Sequence, residues 1–143
     1  MPRFHNVFVV ELLTPTTAPQ RLQARSVVFP ALDGQVGVLA GRAPMVIVLG
    51  AGKLEIEDSS AVRELFFVSG GFAHVREEGV TILAEECVPA RQLDLEQIWE
   101  ELEQAKSLPA EAEKDWVAKQ RAVAAARAKF NLAQEYRKKA RSA

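Results

Sequence analysis

A chain of 143 residues holds one ordinary domain, or a compact domain with an appendage. Its composition, 48% apolar and 26% charged, is that of a globular protein, and a formal net charge of −1 gives no general pull towards nucleic acid. The longest largely apolar run, Ala43 to Ala51, is far short of the roughly 20 residues a spanning helix needs.

The N-terminal Met-Pro-Arg-Phe-His lacks the apolar block of a signal peptide. One cysteine, Cys87, excludes an internal disulfide and fits a reducing compartment, so the chain reads as soluble and cytoplasmic. The mean charge hides a split. Residues 1–93 carry net −2, residues 94–115 net −6 and residues 116–143 net +7, so composition changes twice after about residue 90.

Phe4–Leu13 is apolar on both alternating faces and predicts a strand covered on both sides. After the Thr14–Pro19 loop, Leu22–Phe29 predicts a strand with Leu22, Ala24, Ser26 and Val28 on one side. Leu32-Asp-Gly34 is a corner. It opens the stretch Asp33–Leu54, which holds five of the eight glycines, with Pro44 among them. Short apolar runs punctuated by glycine read as tight corners of a β structure. Lys53–Glu57 alternates, with Leu54 and Ile56 inward, and Asp58-Ser-Ser60 turns the chain. Val62–Val68, Phe72–Arg76 and Val80–Ala84 are further strands, separated by Ser69-Gly-Gly71 and Glu77-Glu-Gly79. Many short strands with glycine turns predict an antiparallel sandwich or barrel.

The pattern changes after Glu86. Cys87–Arg91 reads as a short connector, and Asp94 as a helix N-cap with Gln97 in the reciprocal position. Leu95, Ile98, Leu102 and Ala105 follow on one helical face, with Glu96, Glu100 and Glu101 where the helix dipole favours acid. Ser107-Leu-Pro109 closes this helix and starts a second one, in which Pro109 suits the first turn and Ala118, Ala122, Ala126, Phe130 and Ala133 line one side. The expected organisation is therefore mixed β then α: an N-terminal antiparallel β-sandwich over residues 1–88, then a C-terminal antiparallel two-helix hairpin over residues 89–143.

No catalytic constellation emerges. His74 falls on the polar side of a strand, Cys87 has no basic partner nearby in sequence, and no cysteine–histidine cluster has metal-ligand spacing. Glu85 and Glu86 point to opposite faces, no phosphate-binding glycine loop precedes a helix, and Trp99 and Trp116 read as packing residues on the two helices.

Three motifs in order carry a resemblance. Gly34-Gln-Val-Gly37-Val-Leu-Ala-Gly41-Arg-Ala-Pro44-Met, Phe66-Phe-Val-Ser-Gly-Gly-Phe72 and Val80-Thr-Ile-Leu-Ala84 resemble the signatures of the epsilon subunit of the F-type ATP synthase, called delta in mitochondria. Leu93-Asp94 then opens a helical hairpin where that family has one. The resemblance implies a non-catalytic rotor subunit of the central stalk. Its sandwich would bind the gamma subunit and the ring of membrane c subunits, holding the chain at the cytoplasmic face of the bacterial inner membrane through the complex. The hairpin would fold on the sandwich or extend towards the alpha and beta subunits of the catalytic head and restrain ATP hydrolysis.

The contact residues this implies are Gln35, Arg42, Ala43 and Pro44 in the corner, and Arg137, Lys138 and Lys139 towards an acidic partner surface. Arg42 replaces the histidine of the family's corner, and Gln35 an acidic position. Some members bind ATP through a motif on the first helix. Leu93 and Asp94 keep its start, Gln97-Ile98 depart from it, and Arg127 remains from the further arginines. Asp94 and Arg127 are thus the candidates for ATP contact, in a chain expected to bind ATP weakly or not at all and to need no cofactor. Two other classes stay open: a freestanding sandwich adaptor for an unrelated partner, and a nucleotide-sensing module.

Overall fold

The computed structural model describes residues 7–142, with side chains to residue 139. Phe4, His5 and the start of the first predicted strand lie outside the described residues. The chain divides into two units, Met1–Cys87 and Val88–Ala143, one residue from the boundary expected at 88/89.

The first unit is a β-sandwich. Its strands are β1 (Phe8–Leu13), β2 (Gln20–Ala24), β3 (Ser26–Ala31), β4 (Gly34–Leu39), β5 (Met45–Val48), β6 (Gly52–Glu57), β7 (Arg63–Ser69), β8 (Phe72–Arg76), β9 (Gly79–Leu83) and β10 (Glu86–Pro89). One sheet has the order β2-β1-β9-β8-β5, the other β10-β7-β6-β3-β4. Alternation builds the layer between them. Val10 and Leu12, Leu54 and Ile56, Ala73 and Val75, and Val80 and Ile82 point into one core with Phe29 and Phe66. Phe29, Phe66 and Leu54 are among the largest fully buried side chains, each removing apolar area from water at about 25 cal/mol per Å².

The predicted strand Leu22–Phe29 is two strands. The chain leaves one sheet and joins the other at Arg25, whose backbone N–H donates to the Glu57 carbonyl at 2.8 Å. This one-residue interruption flips the parity, so Val27 and Phe29 are buried in place of the expected Ser26 and Val28. Pro30 is tolerated in β3 because only Ser26–Val28 pair with β6. Most pairings are antiparallel, as expected, but β1 and β9 run parallel, with Val10 opposite Val80 and Leu12 opposite Ile82. Gly79 starts β9 against the partner backbone, and a Cβ there would lie 2.5 Å from the Val9 carbonyl oxygen. The Asp58 turn is closed by its side chain, which accepts from the Ser60 and Val62 amides at 2.8 and 3.0 Å. The expected connector Cys87–Arg91 is instead the end of β10 followed by a 3-10 turn, Ala90–Gln92.

The second unit is a helical hairpin: α1 (Leu95–Lys106) and α2 (Glu113–Ser142). Asp94 caps α1, its carboxylate accepting from the Glu96 amide at 2.9 Å. Ile98, Leu102 and Ala105 are buried, as their spacing predicts. The second helix begins later than predicted. Pro109 precedes it by four residues, because the chain from Ser107 to Ala112 runs as a non-helical connection. Within α2, Ala126, Lys129, Leu132 and Ala133 are buried, whereas Ala118 is exposed.

Candidate functional site

The glycine corner leads from β4, at one edge of its sheet, to β5, at an edge of the other. Gly41 makes this possible by adopting a positive φ of 81°, while Gly34, at 137°, turns the chain from β3 into β4. Arg42 closes the corner twice. Its backbone N–H donates to the Leu39 carbonyl at 3.3 Å, and its guanidinium Nη1 donates to the Gly37 carbonyl at 2.8 Å. Gln35, Arg42, Ala43 and Pro44 are all exposed; the structure places Arg42, Ala43 and Pro44 on one loop and Gln35 at the opposite end of β4. Gly37 stands apart from the other glycines of the corner. Its φ is not positive, and a Cβ built on it would meet nothing within 4 Å. Nothing inside the described chain requires glycine at this exposed edge position, where glycine costs about 0.5–1 kcal/mol relative to alanine.

Beside the corner, the outer face of the β5-containing sheet carries an apolar row that the motif reading did not single out. Val48 pairs with Phe72, and Phe72 with Leu83. All three are exposed, as is Val46 at 64%. The signal was present in the sequence: β5 is apolar at both parities, Val46 and Val48 as well as Ile47, which an outer face left to water does not need. His74 lies on this face too and is exposed, as expected, although its neighbours there are largely apolar.

In the hairpin, the starting end of α1 forms a cleft of about 680 Å³ lined by Arg91, Leu93, Asp94, Glu96, Tyr136 and Arg137, among others. Two acidic and two arginine residues thus line one cleft. Arg127 does not line this cleft, and it lies ten residues, roughly 15 Å, before Arg137 along α2. The two ATP candidates, Asp94 and Arg127, are therefore not brought to one place. Arg137 lines the cleft instead, and Lys138 and Lys139 are exposed beyond it. Lys139 lies 4.0 Å from Glu135 on the same helix face. At the middle of the hairpin, Trp99 contacts Phe130 with ring centroids 6.2 Å apart, so its packing reading holds even though it is half exposed. Trp116 is 53% exposed.

Two other chemical features resolve. Cys87 is half-buried beside the sandwich core, and burial, with the charge of Glu86, pushes its thiol up to about 11. It is protonated at neutral pH and a poor nucleophile. Glu57 accepts from Arg25 Nε at 2.6 Å and from Arg63 Nε at 2.9 Å. These bonds, that from Arg63 first, hold its carboxyl below the usual range and raise Arg63 in turn. This cluster ties three chain segments of the sandwich surface. Among the described residues no group of three or more histidine, cysteine or acidic side chains could hold a metal ion, and no helix is long and apolar enough to cross a membrane.

A glycine-cornered sandwich followed by a helical hairpin is a two-part scaffold whose distinctive chemistry lies on its surfaces. Residues 7–90 match the family model described as the ATP synthase Delta/Epsilon chain, beta-sandwich domain. The chain belongs to the ATP synthase delta/epsilon family, as its three signatures predict. It is 31% identical over 131 residues to the sodium-ion-specific ATP synthase epsilon chain of Propionigenium modestum, covering 90% of this chain and 95% of that one. It is 39% identical over 102 residues to the ATP synthase epsilon chain of Parvibaculum lavamentivorans, covering 68% and 77%. Among solved structures, a chain in the Euglena gracilis mitochondrial ATP synthase OSCP/F1/c-ring assembly superposes with a TM-score of 0.72 at 26% identity, covering 82% of this chain and 76% of that one.

Proposed function

We propose that this chain is a non-catalytic subunit of the rotor stalk of an F-type ATP synthase, coupling the catalytic head to the membrane c-ring. The sandwich binds the gamma subunit and the c-ring, and the hairpin reaches the alpha and beta subunits and restrains ATP hydrolysis. The chain then resides at the cytoplasmic face of a bacterial inner membrane, held there by its partners. Membership of the delta/epsilon family supports this reading.

The observation that carries it further is Gly37. It is an exposed glycine on an edge strand, with open space where a side chain would sit and no backbone need for glycine. Close approach of a partner's backbone supplies the missing reason. The adjacent row Val48, Phe72 and Leu83 offers the apolar area a stable partner would cover. At the other end of the chain, exposed Lys138 and Lys139 suit an acidic surface of the head. No nucleotide is part of this proposal, because the cleft beside Asp94 is lined by Glu96 as well, and two carboxylates there disfavour a polyanion.

Affinity capture of the chain from the native membrane tests the reading. Recovery of gamma, the catalytic head and the c-ring is the expected result. Recovery of an unrelated partner without gamma would identify a freestanding adaptor instead.

A further inference from the structure

The glycine corner has a chemistry as well as a shape. Along β4, Gln35, Gly37 and Leu39 share the exposed parity, while Val36 and Val38 turn towards the core. Gly37 is therefore the floor of a trough, with nothing within 4 Å of a Cβ built there, and Leu39, 61% exposed, is its apolar wall. Arg42 is fastened to this strand twice. Its backbone N–H reaches the Leu39 carbonyl at 3.3 Å, and its guanidinium reaches the Gly37 carbonyl at 2.8 Å.

That second bond satisfies one N–H and leaves the rest of the guanidinium without a carboxylate. Among the described residues, none forms an ion pair with Arg42. Glu77 and Glu78 line the shallow cavity beside the corner together with Arg42 and Arg76, yet neither pairs with Arg42, and Arg76 donates to Thr81 Oγ1 at 2.8 Å. Arg25 and Arg63, in contrast, are both paired with Glu57. Arg42 is thus an exposed cation whose side chain is held in place by a carbonyl and whose charge is unmatched at contact distance.

We propose that Arg42 recognises a carboxylate side chain of the partner that covers this corner, presented beside small or apolar residues that fill the trough over Gly37 and against Leu39. This deepens the reading of Gly37 as a partner contact and rests on it. A guanidinium is a planar fork matched to a carboxylate, and one already fixed by the Gly37 carbonyl loses less freedom on binding than a mobile side chain. Gln35 on the same face is uncharged and does not repel an acid. An anionic lipid surface fits less well, because such surfaces are held by several cations together, and Arg76 has Glu77 and Glu78 beside it.

Carbodiimide coupling reads the contact directly. In the complex that the full chain captures from the native membrane, Arg42→Lys puts an amine at this position, and the reagent joins an amine only to a carboxylate in contact with it. Peptide mass spectrometry should find position 42 joined to an aspartate or glutamate of the partner. Coupling to Glu77 or Glu78 of this chain instead, or no coupling in a complex that forms, would overturn the proposal.

Binding of the purified full chain to its captured partner gives an independent reading. Arg42→Glu should weaken it by about tenfold or more, since two like charges then meet. Arg42→Gln keeps an N–H for the Gly37 carbonyl but removes the charge, so its binding should change little between about 0.05 and 0.5 M salt, whereas that of the original chain weakens. Undiminished binding of Arg42→Glu, or an equal salt response in Arg42→Gln, would count against the carboxylate. Should thermal unfolding show that Arg42→Glu does not fold, Arg42→Gln decides alone. A captured partner that is neither gamma nor the c-ring would defeat the stalk reading, while the coupling at position 42 still decides this one.

Discussion

The guanidinium of Arg42 donates to the carbonyl of Gly37 at 2.8 Å, so the corner is tied by a side chain that is itself exposed. Arginine carries five N–H donors, and this bond uses one of its Nη1 hydrogens. Arg42→Ala should change the stability of the isolated chain by no more than about 0.5–1 kcal/mol, measured by thermal unfolding. In the assembled enzyme it should weaken the coupling of ion flow to ATP synthesis, measured in membrane vesicles. A large stability loss with normal coupling would make Arg42 a purely structural clamp.

Gly37 and Gly79 should respond oppositely to the same methyl group. A Cβ at Gly37 meets open space, while one at Gly79 lies 2.5 Å from the Val9 carbonyl oxygen. Gly37→Ala should leave the isolated chain as stable or raise it by up to about 1 kcal/mol. Gly79→Ala should cost about 1–3 kcal/mol, the range for overpacking. Chemical denaturation separates the two. Gly37→Ala should also reduce capture of the partner, and unimpaired capture would remove the reason offered here for that glycine.

The hairpin should be dispensable for folding of the sandwich. The chain divides between Cys87 and Val88, and the β-sandwich has a core drawn from its own strands. Residues 1–88 should unfold cooperatively and still bind gamma, while any restraint on ATP hydrolysis disappears. A truncation that aggregates, or stays soluble but fails to bind gamma, contradicts this.

Acid should loosen the sandwich surface through Glu57. Its carboxyl titrates below the ordinary value of 4.5 because Arg63 and Arg25 hydrogen-bond its charged form. A depressed folded-state value means that the contribution is fully present above the unfolded value and is lost as pH falls through the folded one. Stability of the original chain should therefore fall more steeply below about pH 4.5 than that of Glu57→Gln, with the two curves converging in acid. Its arginine partners are open to water, Arg63 at 57%, so the difference is small, and added salt should shrink it. Parallel curves would mean that the cluster does not contribute.

Isothermal titration with ATP and magnesium should show weak binding or none. Arg127 and Asp94 do not share a site, and Arg91 and Arg137 lie in a cleft that also holds Asp94 and Glu96. A triphosphate needs charge-assisted donors, and carboxylates lining the same cleft repel it. Tight binding that is lost on Arg137→Ala but not on Arg127→Ala would place a nucleotide in this cleft after all.

The sequence by itself determined what depends on neighbours along the chain. Alternation at Leu54–Ile56 and Ala73–Val75 marks strands with one buried face, the 4-3 spacing of Ile98, Leu102 and Ala105 marks a covered helix, and Asp94 marks where that helix starts. Three motifs in order, two of them built on glycine, were enough to indicate the family. Tertiary structure alone decided what depends on residues distant in sequence. The parallel pairing of Val10 with Val80, the crossing at Arg25 that turns Val27 and Phe29 inward, and the joining of Glu86–Pro89 to a sheet each require a partner strand that no local window contains. The same holds for the surfaces. Lys129 reads as a solvated charge in a basic helix until α1 covers it, and Val48, Phe72 and Leu83 become one apolar row only when three strands set them side by side. Local periodicity settles which residues form an element and which face is apolar. Register and sheet order settle what that face meets, because pairing energy is gained only once distant segments are brought together.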